Sequence, residues 1–430
     1  MRHSIRGATV EQVKSIGGQD IKAAHSTGII FAVLDDAQVN KLKAAGCVVK
    51  KVGGVEPAIM LPPVAPPVPI EAPPTYSAQE MAWILGIDEF RGITDPPLYG
   101  KGFNLAIVDT GIRETHEQVS DHVIYRKNFT KDPHRDKFDH GTGVASIALV
   151  VAPEAGILDL KALDDNGSGT EEEVVMAIDE AIRLRDEDSE LAPHVLNLSL
   201  GAPDDGDPDN ILRIACRAAI EKGIWVFAAA GNAGPNPGTI MTPACEQYIA
   251  AVGSAKYLPA DEAFIVSDFS SRGPTPGGLI KPDAVLFGEN ILMASSAGDT
   301  ATIPKSGTSF ATPFASGMAI LYHEGVIAYG GVRYPEGPPP GLYPDITHLI
   351  SPEELLDVYL PGICIKPQGA PKTKDYDYGY GLPFGPLMKQ ALSPVSTVIS
   401  SMVPMMSAFM MIGMIGMMAR GVMVNGRAGR

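Results

Sequence analysis

The sequence predicts an α/β protein: a doubly wound, mainly parallel sheet with helices on both faces, preceded by a small α+β unit. Three observations carry that expectation. Short apolar runs alternate with helical stretches from about Tyr76 to Leu392, and buried strands joined by crossover helices pair in parallel, with helices on both sheet faces. The stretches between the runs, such as Glu171–Arg185 and Asp209–Lys222, are long enough for crossover helices. The 430 residues, 45% hydrophobic and 20% charged, suffice to bury a large core and have ordinary globular composition.

Residues 1–56 open the chain as the small unit. Gly28–Leu34 is a short apolar run suited to a strand, Asp36–Ala45 has the apolar spacing of a helix closed by Gly46, and Cys47–Val52 reads as a second strand. So small a unit must lean on something larger to stay folded. Residues 57–78 follow as a linker, with eight prolines between Pro57 and Pro74. Proline fixes φ and removes donors, so an exposed, extended spacer without secondary structure is expected, and a natural place for processing.

The main body, 79–393, has strand-like runs at Asn104–Val108, Gly156–Leu160, Val195–Ser199, Ile224–Ala228 and Tyr248–Val252, with helical stretches such as Glu171–Arg185 and Asp209–Lys222 between them. In open sheets of this kind the working residues lie at the carboxyl ends of the strands. A second proline-rich patch, Pro335–Pro344, reads as a surface insertion, and there is no internal repeat. The tail, 394–430, is different. No charged residue occurs from Ala391 to Ala419, nine of the 17 methionines lie between Met402 and Met423, and Arg420, Arg427 and Arg430 follow. Two readings stay open for it: a membrane anchor or a Met-rich segment docking on a protein partner. The N-terminus lacks the apolar run of a secretory signal, which suggests a cytoplasmic or non-classically exported protein.

Lys and Arg number 34 against 50 Asp and Glu, a formal charge of −16. A nucleic-acid partner is excluded, because phosphate binding needs a positive field. Cys47, Cys216, Cys245 and Cys364 are far apart with no C-x-x-C pair, which fits four separate thiols and neither a zinc knuckle nor a disulfide framework.

Four segments carry chemistry. Asp109 ends an apolar strand in Ala106-Ile-Val-Asp-Thr-Gly111. His140 precedes a helix-like stretch in Asp139-His-Gly-Thr-Gly-Val-Ala145. Ser309 follows a small-residue turn at the start of a helix in Ser306–Gly317. Asn232 comes just after a strand in Ala228-Ala-Ala-Gly-Asn-Ala-Gly-Pro235. A serine hydroxyl is a poor nucleophile until an imidazole takes its proton. The imidazole needs a carboxylate to fix its tautomer, and Asp, His, Ser is one of the chain orders that meets this geometry. An asparagine amide after a strand can donate to an oxyanion.

These motifs resemble those of the subtilisin-like serine proteases, the subtilases, over roughly Tyr76 to Leu392. The resemblance implies a subtilisin-like fold with Asp109 as orienter, His140 as general base and then acid, and Ser309 as nucleophile. It also implies that Asn232 and the Ser309 backbone N–H form the oxyanion hole. The separations agree: 140 − 109 = 31 and 232 − 140 = 92 are close to the family's, whereas 309 − 232 = 77 is longer and suggests a surface insertion. Ser168-Gly169-Thr170 and Ser199-Leu200-Gly201 resemble the two edges that hold an extended peptide by strand addition. Ala228–Gly231, including Ala230 and Gly231, would line the primary pocket with small residues, leaving room for an apolar or aromatic side chain before the scissile bond.

The resemblance further implies that residues 1–56 are an inhibitory, chaperone-like propeptide, the chain's own intramolecular inhibitor, and that the substrate is a polypeptide. No cofactor is required for the chemistry; a structural calcium ion is an expectation, with Asp121 as a ligand. The sequence departs from the family at Gly143, where His is common, at Phe310, where Met follows the nucleophile, and at Phe314, often His. None removes a catalytic group. The other reading is a catalytically silent protein of the same fold that binds through its groove or tail. If the triad works, activity falls below about pH 6–7, where a histidine base protonates.

Overall fold

The computed structural model describes residues 1–58, 74–187, 190–329 and 351–392. Most of the proline-rich linker, the patch at 335–344 and the tail at 394–430 lie outside the described residues.

The first unit is a four-stranded antiparallel sheet with two helices: β1 Arg2–Arg6, α1 Val10–Ser15, β2 Gln19–Ala24, β3 Ile29–Val33, α2 Asp36–Ala44 and β4 Val48–Lys51, in the order β2-β3-β1-β4. Both helices start at capping boxes, Thr9 with Gln12 and Asp35 with Gln38, which satisfy backbone N–H groups the first turn leaves unpaired. One sheet face joins the helices in a small core of Ile5, Val13, Leu42 and Val49. The other contributes Ala24, Ile29 and Phe31 to a core cluster of the main body, so the unit does lean on a larger partner. The next strand, β5 Gly54–Pro57, leaves this sheet altogether. Pro57, expected to begin a structureless exposed spacer, is in a strand, and Ala58 is buried.

The main body starts with β6 Tyr76–Ser77, α3 Ala78–Ile84 and α4 Ile87–Arg91. Its sheet is built from β7 Asn104–Asp109, β8 Val123–Asn128, β9 Gly156–Lys161, β11 Val195–Leu198, β13 Trp225–Ala229, β15 Ala250–Leu258, β16 Ala263–Val266 and β17 Ala284–Phe287. The order is β16-β15-β13-β11-β7-β9-β8, with β17 also on β15; every pairing is parallel except β15–β16. That is the doubly wound arrangement expected. The five expected strands all form, the last beginning at Ala250 rather than Tyr248 and running on to Leu258. The β15–β16 hairpin lies between Asn232 and Ser309, the interval in which extra length was expected.

Helices α5 Gly141–Val151, α6 Glu171–Asp186, α7 Ile211–Glu221 and α8 Thr308–Tyr329 cover the sheet. One core cluster gathers α5 and α8 residues such as Val144, Ile147, Phe310 and Ile320. The other gathers α6 and α7 residues such as Val175, Ile178, Leu212 and Ala215. A second small sheet joins β10 Gly169–Thr170, β12 Leu200–Pro203 and β14 Met241–Thr242 with β5 of the first unit, in the order β10-β5-β12-β14. Strands β18 Ile291–Ala294 and β19 Thr302–Lys305 form a hairpin beside β6.

Candidate active site

Each of the three chemically suggestive side chains sits where an element begins or ends. Strand β7 is buried throughout, and Asp109 is its last residue. His140 is the N-cap residue of α5 but its ring makes no capping bond, so the imidazole is available for other work. Ser309 is the second residue of α8. The structure pairs Asp109 with His140 and packs Phe310, the neighbour of Ser309, against the His140 ring, and all three side chains are essentially buried. Asp109 Oδ1 lies 2.7 Å from His140 Nδ1 and also accepts the Thr110 N–H at 2.7 Å. Gly141 makes this approach feasible: a Cβ there would lie 2.3 Å from the Gly111 carbonyl oxygen and 3.1 Å from Asp109 Oδ1.

Two carboxylates that the sequence reading passed over hold the histidine. Asp136 accepts the N–H groups of Phe138, His140 and Thr142 and the hydroxyls of Thr110 and Thr142, at 2.7–3.2 Å. Burial pushes its pKa above the usual carboxylate range; the Thr142 hydrogen bonds oppose this and the nearby Asp109 charge adds to it. Asp139, immediately before His140, has φ of 59°, a left-handed conformation that Asp tolerates better than most residues. Its carboxylate accepts from the Ser295 and Ser296 hydroxyls and the Ser296 N–H, and Lys305 Nζ donates to its carbonyl at 2.8 Å. Burial works to raise the Asp139 pKa, but the serine hydrogen bonds outweigh it and the net shift is downward.

The Ser309 hydroxyl donates to the Ser199 carbonyl at 2.8 Å, and His140 Nε2 is buried without a partner among the described residues. Asn232 Oδ1 accepts the backbone N–H of Thr308 at 3.0 Å and its hydroxyl at 3.1 Å. A backbone N–H can only donate, so this contact fixes which end of the amide is oxygen. It leaves Nδ2 buried and unpartnered among the described residues, and Thr308 is the orienting residue. The departures at Gly143 and Phe310 also have local reasons. A Cβ on Gly143 would lie 2.2 Å from Met293 Sδ, so the thioether fills the space of a side chain there. The Phe310 ring packs 5.3 Å from the His140 ring, centre to centre.

The groove beside these groups is filled by the chain itself. Strand β5 lies antiparallel between β10 and β12, pairing Val55 with Gly169, Gly54 with Thr170, Pro57 with Leu200 and Glu56 with Gly201. Beyond the strand, the Ala58 N–H donates to the Ser199 carbonyl at 3.3 Å, and the Ala58 carbonyl accepts the Ser309 N–H at 3.2 Å. Of the expected groove residues, Gly169, Thr170, Ser199, Leu200 and Gly201 therefore contact the strand. Ser168 does not: its N–H and carbonyl are both taken by Asp164 in a turn. The ladder is displaced one residue onward to Glu171, which bonds Gly53. Ala230 is buried beside Gly231. The Met241 side chain lies against Gly231 and Gly201: a Cβ on Gly231 would lie 2.6 Å from Met241 Cγ and one on Gly201 3.3 Å from Met241 Cε. Met241 lies 40 residues after Gly201 (241 − 201) and ten after Gly231 (241 − 231), and the β12–β14 pairing and its N–H bond to the Ala230 carbonyl bring it near them.

Asp121, the expected calcium ligand, is exposed in the turn before β8. Among the described residues no three His, Cys, Asp or Glu side chains converge to hold a metal. All four cysteines are free. No helix among the described residues is long and apolar enough to cross a membrane.

Residues 100–328 match the subtilase family, peptidase S8. The chain belongs to the subtilase family. It is 32% identical over 244 residues to a subtilisin of Bacillus sp. (strain TA39), covering 51% of this chain and 56% of that protein. It is 30% identical over 255 residues to the serine protease AprX of Bacillus subtilis (strain 168), covering 52% and 57%. The chain thus spans little more than half the length of these two relatives. With the major intracellular serine protease of Bacillus subtilis (strain 168) it shares 31% identity over 247 residues, 52% of this chain and 68% of that one. Among solved structures, Sphericase superposes with a TM-score of 0.56 at 25% identity, covering 72% of this subtilase and 99% of that chain. The S41 psychrophilic protease does so with 0.53 at 26%, covering 70% and 97%.

Proposed function

We propose that this subtilase is a serine endopeptidase made as a self-processing zymogen, and that it cuts itself between Ala58 and Ile59. The observation that carries the reading is the seating of residues 53–58: an extended strand held on both edges, with the Ala58 carbonyl on the Ser309 N–H. That is how a peptide substrate would be held for attack. The Ser309 hydroxyl turns from the Ser199 carbonyl toward His140 Nε2, gives up its proton and attacks the Ala58 carbonyl carbon. The oxyanion that forms is stabilised by the Ser309 N–H and Asn232 Nδ2. Asp109 stabilises the imidazolium through Nδ1, and His140 then protonates the Ile59 nitrogen as that bond breaks, leaving an Ala58 acyl-enzyme. Water, deprotonated by His140, releases the acyl group as a carboxylate.

The product, residues 1–58, keeps its contacts with the body and so acts as the inhibitor of the enzyme that released it. Its sheet is bonded to α6 and the loop before α7 through Arg2 and Lys22 with Glu172, Arg6 with Asp209 and Lys50 with Asp207. Asp179 accepts the backbone N–H groups of His25, Ser26 and Thr27. The seated Ala58 and the methionine-filled pocket favour small residues before the scissile bond over the large apolar ones that the sequence suggested. A fluorophosphonate probe tests the activity. Labelling of the wild type but not of Ser309→Ala, with peptide hydrolysis lost in Ser309→Ala and His140→Ala, is expected; absence of labelling and hydrolysis in the wild type would favour the silent binding protein.

A further inference from the structure

We infer that recognition reaches the sixth residue before the scissile bond, where Glu171 is a specificity-determining residue that selects glycine. The inference rests on the reading of residues 53–58 as a substrate-like strand. Counting back from Ala58 as the first residue, Gly53 is the sixth. It is bonded in both directions: its N–H donates to Glu171 Oε2 at 2.7 Å, and its carbonyl accepts the Glu171 N–H at 3.0 Å.

The second bond continues the antiparallel ladder, but the first cannot be a backbone bond. Glu171 is the first residue of α6, and its carbonyl is directed into the helix. The carboxylate takes the place of the missing acceptor. It is pre-positioned by Asn210, whose Nδ2 donates to Glu171 Oε1 at 3.1 Å while its own Oδ1 caps α7 at the Leu212 N–H. Glu171 is 8% exposed with the strand in place.

Selectivity follows from two separate features. The strand removes the carboxylate from water, so a substrate residue without an N–H leaves a charged acceptor buried and unsatisfied. A side chain is also resisted, because a Cβ on Gly53 would lie 3.0 Å from Glu171 Oε2 and 3.1 Å from its Cδ. Loss of a hydrogen bond to a charged group corresponds to about 10–100-fold in kcat/KM.

The test uses the full chain after self-processing and separation of the 1–58 fragment, with active enzyme counted by phosphonate titration. Three acetylated chromogenic peptides share Val-Glu-Pro-Ala before the cleaved bond. One has nothing further, one adds Gly-Gly, and one adds sarcosine-Gly, in which a methyl group replaces the sixth N–H. The Gly-Gly peptide is expected to exceed the sarcosine peptide at least 10-fold in kcat/KM, and that ratio to fall to near one in Glu171→Ala. A ratio within twofold in the wild type, with the four-residue peptide cleaved normally, would overturn the inference alone. Failure to cleave any of the three would overturn the protease reading, and this inference with it. Because the decisive comparison is between substrates on wild-type enzyme, it does not depend on the variant folding.

Discussion

Replacing Ala58 by Phe asks whether the seated strand is the reacting one and whether Met241 sets the size of the primary pocket. Ala58 is 3% exposed, so a larger side chain here cannot simply turn to solvent. The space between the two pocket walls is occupied, with Met241 within 2.6–3.3 Å of where a Cβ on Gly231 or Gly201 would sit. Forcing a ring into such a site costs about 1–3 kcal/mol when neighbours must move, which slows formation of the Ala58 acyl-enzyme about 5–150-fold. The assay is an intact-mass time course of the full chain, which reports rate and position together. Ala58→Phe should process at least about 5-fold more slowly than wild type, and Ala58→Phe with Met241→Gly should recover most of that loss, because removing the thioether empties the space the ring needs. Processing of Ala58→Phe at the wild-type rate after residue 58 would refute the assignment of Met241. Processing of the wild type at a different bond would refute the assignment of Ala58.

Two further predictions concern stability and release of the first unit. Burial raises the Glu324 carboxyl from 4.5 to about 7, against hydrogen bonds from the backbone of Gly100 and Tyr99 that lower it. The folded state therefore holds more protons than the unfolded chain between these values, and stability falls as pH rises through that window; Glu324→Gln, which keeps an acceptor for Gly100, should stabilise the Ser309→Ala chain on the order of 2–3 kcal/mol at pH 8 and hardly at all below pH 4.5, and an equal effect at both, by denaturant unfolding, would contradict this. The ion pairs of Arg6, Lys22 and Lys50 are partly exposed and so screened by salt, and raising ionic strength from about 0.05 M to about 1 M should speed dissociation of the cleaved 1–58 fragment several-fold; slower dissociation, by size exclusion, would mean that the apolar face around Ile29 and Phe31 governs retention.

What the sequence made legible was whatever is encoded locally. Asn104–Asp109 and Val195–Leu198 read as strands because burial on both faces leaves them mostly apolar. Asp109, His140, Asn232 and Ser309 stand at element ends that turn residues announce. Strand β1, Arg-His-Ser-Ile-Arg, and edge strand β8, Val-Ile-Tyr-Arg-Lys-Asn, were passed over because they are half polar. The residues that complete the site were hidden for another reason. Met241 meets Gly201 and Thr308 meets Asn232 across long gaps in the chain, and Glu171 acts through the accident of position that puts a helix start beside the strand. The occupant of the groove was the hardest to foresee, since Pro57 and Ala58 carry the composition of a linker and become a strand only when two edges from the main body receive them.

The most direct test of the account is the intact mass of the purified full chain and of Ser309→Ala, followed over time. The wild type is expected to separate into residues 1–58 and a second fragment beginning at Ile59, while Ser309→Ala stays whole. A wild type that stays full length, or a Ser309→Ala chain that is cut at the same rate, would contradict it.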